Sequence, residues 1–224
     1  MAYRSLKFAR VVFDADSTLS RIEGIDELAR LRGVDVSGLT ERAMRGEIPL
    51  ESVFGARLMR VRPDAAMLAK VGALYVRGAV RGARSLLSDL SHAGVEPWIV
   101  SGGLRPALLP LARAMGIPGH RLIAVDVELD GRGKFVGFDE SSPLTRADGK
   151  LEILRGLRPR GGKLAFVGDG ATDLAAKPAV DLFIAFTGVA ARPAVIAGAH
   201  RVASTYSELR PLLLGSNRSV HKTQ

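Results

Sequence analysis

Phe8-Ala9-Arg10-Val11-Val12-Phe13 runs straight into Asp14-Ala15-Asp16-Ser17-Thr18. A short apolar run that stops at a polar turn is how a strand buried on both faces of a parallel sheet reads. The pattern returns at Val95 to Val100, Leu164 to Val167 and Leu182 to Ala185. Between these runs apolar residues fall at helical spacing, as in Ala83 to Ala93, Ala107 to Met115 and Leu151 to Leu157. Strand alternating with helix predicts an α/β fold built on a doubly wound, mostly parallel sheet.

One interval breaks the alternation. From about Ile25 to Val76 the chain reads as successive helices, with Pro49 and Pro63 at helix starts. This predicts a helical cap over residues 20–77, inserted after the first strand, with 1–19 and 78–214 forming the core. Val125 to Leu129 and Lys134 to Phe138 flank Asp130-Gly131. They predict a β-hairpin flap over 125–138, within a loop that can run through Gly133. The polar stretch 215–224 is expected to be frayed.

Composition narrows the chemistry. The chain has 224 residues, 47% of them hydrophobic, enough for a substantial core. It has no cysteine, which excludes disulfides, thiolate metal sites and cysteine nucleophiles and leaves oxygen and nitrogen ligands. The first residues lack the apolar core of a secretory signal, and no window approaches the roughly 20 apolar residues of a membrane span, so a cytoplasmic protein with no membrane partner is expected. The net charge is +9. Because the basic residues are scattered and little interleaved with aromatics, no nucleic-acid partner is expected; the charge reads as a solvated surface that mildly steers anions. Gly131-Arg132-Gly133-Lys134 and Gly161-Gly162-Lys163 lack the spacing of a nucleotide-binding P-loop.

In an open α/β sheet, ligands bind beyond the carboxyl ends of the strands. Asp14 and Asp16 leave the first strand two residues apart and can divide the roles of nucleophile and proton donor in a phosphoryl transfer. Ser101-Gly102-Gly103, after the second run, offers a hydroxyl and bare amides to phosphate oxygens. Lys150 offers a point charge. Asp169 and Asp173, within Gly168-Asp169-Gly170-Ala171-Thr172-Asp173, can join Asp14 in holding Mg²⁺, a cation that prefers oxygen. Each of these turns alone reads equally as an ordinary turn, cap or surface lysine.

Together and in this order, the four pieces resemble the signature motifs of haloacid dehalogenase superfamily phosphatases. Within that superfamily, Glu23-Gly24-Ile25-Asp26-Glu27-Leu28-Ala29, Arg42-Ala43-Met44 and Gly137-Phe138-Asp139-Glu140 are similar to the phosphoserine phosphatase family, and the likeness spans about residues 8 to 213. The resemblance implies a Rossmann-like core and a phospho-aspartyl intermediate on Asp14, with Asp16 as general acid and then base. It implies Mg²⁺ on Asp14, the Asp16 carbonyl and Asp169, supported by Asp173. It implies a phosphoryl group held by Ser101, Gly102, Gly103 and Lys150, and an amino-acid head group met by Glu23, Met44 and Arg57. The implied substrate is a small phosphomonoester, phosphoserine, with a homodimer as the assembly considered. The alternatives left open are transfer to an alcohol such as homoserine, another small phosphomonoester, and a catalytically silent phospho-ligand binder. Ala185-Phe186-Thr187-Gly188 and Arg45 depart from the family pattern.

Overall fold

The structure, a computed structural model, describes residues 8–39 and 52–215. β1 (Arg10–Phe13) has three fully buried side chains in four and is flanked by neighbours on both sides, as its apolar run requires. A single tight turn, Ala15–Leu19, follows it. The helical interval comprises α1 (Gly24–Arg32), α2 (Val53–Val61) and α3 (Ala65–Arg77) among the described residues. The alternation then resumes with α4 (Ala83–His92), β2 (Glu96–Leu104), α5 (Arg105–Ala114) and β3 (Leu122–Val125). A hairpin, β4 (Val127–Leu129) and β5 (Phe135–Phe138), precedes α6 (Gly149–Gly156), β6 (Leu164–Gly168), α7 (Ala171–Ala175), β7 (Leu182–Phe186), α8 (Pro193–Gly198), β8 (Arg201–Ala203) and α9 (Tyr206–Leu214).

The six-stranded sheet has the order β3-β2-β1-β6-β7-β8, and every adjacent pair is parallel. From β1 the chain winds outward through β2 and β3, then returns to β6 on the other side. The winding reverses between β1 and β6, and that reversal opens a crevice at the carboxyl ends of the two strands. The expected α/β doubly wound core is therefore present.

Four local readings need correction or completion. β2 does not end at Val100; it continues through Ser101-Gly102-Gly103 to Leu104, with a register shift against β3 between Val100 and Leu104. Pro106 in the first turn sets the start of α5, so the chain before Arg105 stays extended. Val125 closes β3 of the main sheet rather than opening the hairpin, whose ladder starts at Val127. β3 and β8 were not anticipated, because they are short edge strands and β8 is exposed at two of its three positions. Pro63 precedes the cap of α3, whose N-cap is Asp64, with its carboxylate accepting from Met67 N at 3.0 Å. Pro49, Met44 and Arg45 lie outside the described residues.

The helical interval is stitched to the core at both ends. Arg21 N donates to Gly78 O and Val80 N to Leu19 O, both at 2.9 Å, around an antiparallel bridge between Ser20 and Ala79. α3 lies directly on α5, with Gly72 so close that an added Cβ would meet Pro110 Cγ at 2.9 Å. The hairpin leans on the same interval. Phe138 meets Phe54 edge-on at 5.6 Å between centroids, and Ala65 N donates to Gly133 O at 2.9 Å. Gly133 takes φ +73, which a glycine adopts at little cost, and it ends the loop as its sequence suggested.

Gly149 sets where α6 begins. A Cβ there would fall 1.7 Å from Pro143 O and 2.3 Å from Pro143 C, and neither backbone atom can step aside as a side chain would. Gly149→Ala is expected to cost roughly 1–3 kcal/mol through overpacking. It should also displace the adjacent Lys150. Thermal melts together with activity check this; an unchanged melting temperature would show that the close approach is relaxed in solution.

Candidate active site

Asp14 is the first residue beyond β1, and its amide donates to Val167 O on β6 at 2.9 Å, which places it on the switch-point crevice. The turn after it is held from below. Ser17 adopts φ +49, Thr18 Oγ1 donates to Asp169 Oδ1 at 3.2 Å, and Tyr206 Oη donates to the Thr18 carbonyl at 2.9 Å. Tyr206 in turn packs between Phe13 and Phe186, so α9 braces the loop carrying both leading carboxylates.

Lys150, in the first turn of α6, lies between two acids. Its Nζ is 2.9 Å from Asp14 Oδ1 and donates to Asp173 Oδ1 at 2.6 Å. All three side chains are buried. Burial pushes the Asp14 carboxyl well above the usual carboxylate range; Lys150 opposes that shift, and Asp173 and Asp16 add to it. Burial lowers the Lys150 pKa, but facing two carboxylates more than offsets this and holds the ammonium above the ordinary lysine value. Asp173 Oδ2 also accepts from Gly170 N at 2.8 Å, so the fully buried Asp173 stands behind Lys150 rather than on the pocket wall.

Asp14, Asp169 and Asp173 each offer an oxygen within 4.8 Å of the other two. Three buried, hard oxygen donors this close together could hold a divalent cation. Burial and Asp173 push Asp169 up to about 6, against the Arg192 guanidinium that donates to its Oδ2 at 3.1 Å.

The Asp16 side chain is not part of that trio. Its Oδ1 accepts from Tyr75 Oη at 2.5 Å. Burial, then the facing Glu23 carboxylate, pushes its pKa up to about 7.

These groups open on one pocket of about 400 Å³. Of the residues singled out in the sequence, Asp14, Asp16, Glu23, Arg57, Ser101, Gly102, Gly103, Lys150 and Asp169 line it, while Met44 is outside the described residues. The Gly103 amide donates to Ser101 Oγ at 3.1 Å, fixing the serine rotamer. Glu23 Oε1 accepts from Ser17 Oγ at 2.7 Å and lies 3.6 Å from Arg192. Arg57 pairs with Asp26, and its Nε is buried without a hydrogen-bond partner.

Residues 11–176 match the haloacid dehalogenase-like hydrolase family. The chain belongs to this family.

The hydrolase is 36% identical to the phosphoserine phosphatase of Homo sapiens over 182 residues, 80% of this chain and 81% of that one. A solved substrate-bound complex of phosphoserine phosphatase superposes with a TM-score of 0.73 at 26% identity, covering 92% of this chain and 97% of that one. A phospho-aspartyl intermediate analogue of phosphoserine phosphatase gives 0.71 at 26% identity, covering 92% and 98%. The resemblance drawn from the motifs is borne out. Among the described residues, no helix of this hydrolase is long and apolar enough to cross a membrane.

Sequence reasoning missed Arg192, Tyr75, Asp26 and the Thr145-Arg146-Ala147 stretch of the pocket wall. Asp26 sat inside a quoted motif without a role. Arg192 follows β7, another strand end on the same side of the sheet, and the rule that led to the other turns applies there too. Tyr75 carried no local signal, since an aromatic at helical spacing reads as core.

Proposed function

We propose that this hydrolase is a Mg²⁺-dependent phosphatase that cleaves L-phosphoserine to L-serine and phosphate through a phospho-aspartyl intermediate. The observation that carries the reading is the pairing of two unlike carboxyls on one pocket: Asp14 ion-paired to Lys150, and Asp16 bonded to Tyr75 instead, its pKa pushed up to about 7. Phosphoryl transfer needs a nucleophile and a proton donor in different environments, with charge neutralisation around them.

In this reading Asp14 attacks phosphorus, and the P–O bond to serine breaks as Asp16 gives its proton to the leaving oxygen. Asp16, now a carboxylate, takes a proton from water. The water oxygen then displaces Asp14 from phosphorus, and phosphate leaves. Lys150 orients Asp14 and faces the developing charge, while Ser101 and the Gly102 and Gly103 backbone cradle the phosphoryl oxygens. Asp14, the Asp16 carbonyl and Asp169 would hold the metal, with Asp173 anchoring Lys150 beside it, and Mg²⁺ bound there would neutralise nucleophile and phosphate together. Glu23 meets the substrate ammonium and Arg57 its carboxylate. Residues 20–77 act as the cap over this site and 125–138 as the flap bracing it. The names of the relatives support the substrate, and the buried acid trio supports a divalent metal.

The test is phosphate release from L-phosphoserine, phosphothreonine, homoserine phosphate and a sugar phosphate, with Mg²⁺ and with excess chelator. Expected is a preference for phosphoserine over the sugar phosphate of at least about tenfold in kcat/KM, from the head-group contacts that the sugar lacks. Chelation should remove turnover and Mg²⁺ should restore it. Preference for the sugar phosphate would overturn the reading of Glu23 and Arg57, and preference for phosphothreonine or homoserine phosphate would overturn phosphoserine as the substrate.

A further inference from the structure

The Tyr75 hydroxyl ends against the very carboxyl that the proposed mechanism uses twice. Tyr75 sits in the last turns of α3, fully buried, and donates to Asp16 Oδ1. Its backbone is pinned as well, since Ser20 Oγ donates to the Tyr75 carbonyl at 2.9 Å. The surrounding backbone is cut away to admit the ring. A Cβ on Gly24 would fall 2.0 Å from Tyr75 Oη, and one on Gly103 would fall 3.3 Å from it. Two glycines from separate elements, one opening α1 and one in β2, therefore leave the space that a single phenol fills.

We propose that Tyr75 is a positioning residue for Asp16: by occupying Oδ1 it leaves the other carboxyl oxygen to carry the proton to and from the reacting groups. A carboxylic acid has one proton. With Tyr75 donating to one oxygen, that oxygen serves as acceptor and the proton resides on the other. When serine leaves, that proton moves to the serine oxygen and Asp16 becomes a carboxylate. The tyrosine bond then becomes charge-assisted and holds the rotamer until water returns a proton. Because Tyr75 lies on α3 while Asp16 lies on the loop after β1, the proton donor is aligned only when the helical interval is seated on the core.

This inference rests on the assignment of Asp16 as proton donor, and its test separates the two. The wild-type protein and Tyr75→Phe are compared by kcat/KM on L-phosphoserine, whose alkoxide must be protonated as it leaves, and on p-nitrophenyl phosphate, whose phenolate need not be. kcat/KM reports only steps through loss of the leaving group, so later hydrolysis of the intermediate does not enter. General acid catalysis contributes about 10²–10⁴-fold, and misalignment forfeits part of it. The expected loss is about 10–100-fold for phosphoserine and less than about threefold for the aryl ester. In an Asp16→Asn background the same change should cost almost nothing further.

Equal losses on both esters, or none on either, would overturn the proposal and leave Tyr75 a packing residue. Should the phenylalanine variant fail to fold, Gly103→Ala crowds the hydroxyl in a chain that keeps it, its added Cβ falling 3.3 Å from Tyr75 Oη and 3.0 Å from Leu108 Cδ1. The same leaving-group split is then read, because a disturbed phosphate cradle slows both esters alike. If the wild type hydrolyses the aryl ester but not phosphoserine, the substrate reading fails. Tyr75 is then tested on whichever alkyl phosphate the enzyme accepts.

Discussion

Asp14→Asn is expected to lower phosphate release by at least about 10⁴-fold on every ester, because an amide cannot attack phosphorus and no neighbouring carboxylate can take its place. Asp16 is turned toward Tyr75, Asp173 is committed to Lys150 and Gly170, and Asp169 is tied to Thr18 and Arg192. The loss should come without a loss of stability. Asp14 is buried at a desolvation cost that Lys150 only partly offsets, and Lys150 keeps Asp173 after the change. A melting temperature equal to or above that of the wild type, measured without metal, is therefore expected. Residual turnover within about tenfold of wild type would remove Asp14 from the nucleophile's role.

Lys150→Met should fail in both respects. It deletes the one ammonium between two buried carboxylates, and methionine has nearly the same length without a donor. Breaking a buried pair by removing one partner costs about 3–5 kcal/mol, or roughly 10 °C in melting temperature for a chain of this size. The orphaned Asp14 charge is driven to protonate, so the destabilisation should shrink as pH falls into the range, raised by burial, where the Asp14 carboxyl becomes neutral. Turnover should drop about 10²–10³-fold, the usual effect of losing one preorganised donor facing transition-state charge. A variant as stable as wild type, with its activity intact, would show that the lysine is incidental.

The pair makes a useful contrast: one substitution separates activity from stability, and the other couples them. The difference follows from burial. Replacing Asp14 by a neutral isostere relieves a desolvated charge, whereas removing Lys150 strands two.

Much of this is legible in the sequence. β1, β6 and β7 are fully or nearly fully buried apolar runs in a central parallel sheet, and such strands announce themselves because both faces need apolar cover. The acidic turns after β1 and β6 were legible for the same reason. A strand that ends at a crevice must switch abruptly from apolar to polar. Edge strands have no such constraint, and so β3 and β8 went unread. The extension of β2 through Ser101-Gly102-Gly103 was hidden as well, because glycine pairs signal turns and nothing local says that the sheet continues beside them.

What the sequence determined by itself was the alternation of the central strands with helices, the family, and which acids and lysine stand at the strand ends and the later helix start, since these depend on hydrophobic periodicity and on side-chain chemistry. Only the tertiary structure decided which of them touch. Lys150 bridges Asp14 and Asp173 across 136 and 23 residues of chain respectively, a juxtaposition created by parallel pairing of β1 with β6. Tyr75 reaches Asp16 across 59 residues, through the packing of α3 on α5 and the space left by Gly24 and Gly103. Such contacts arise where separate elements meet, and no local pattern in the chain encodes the meeting.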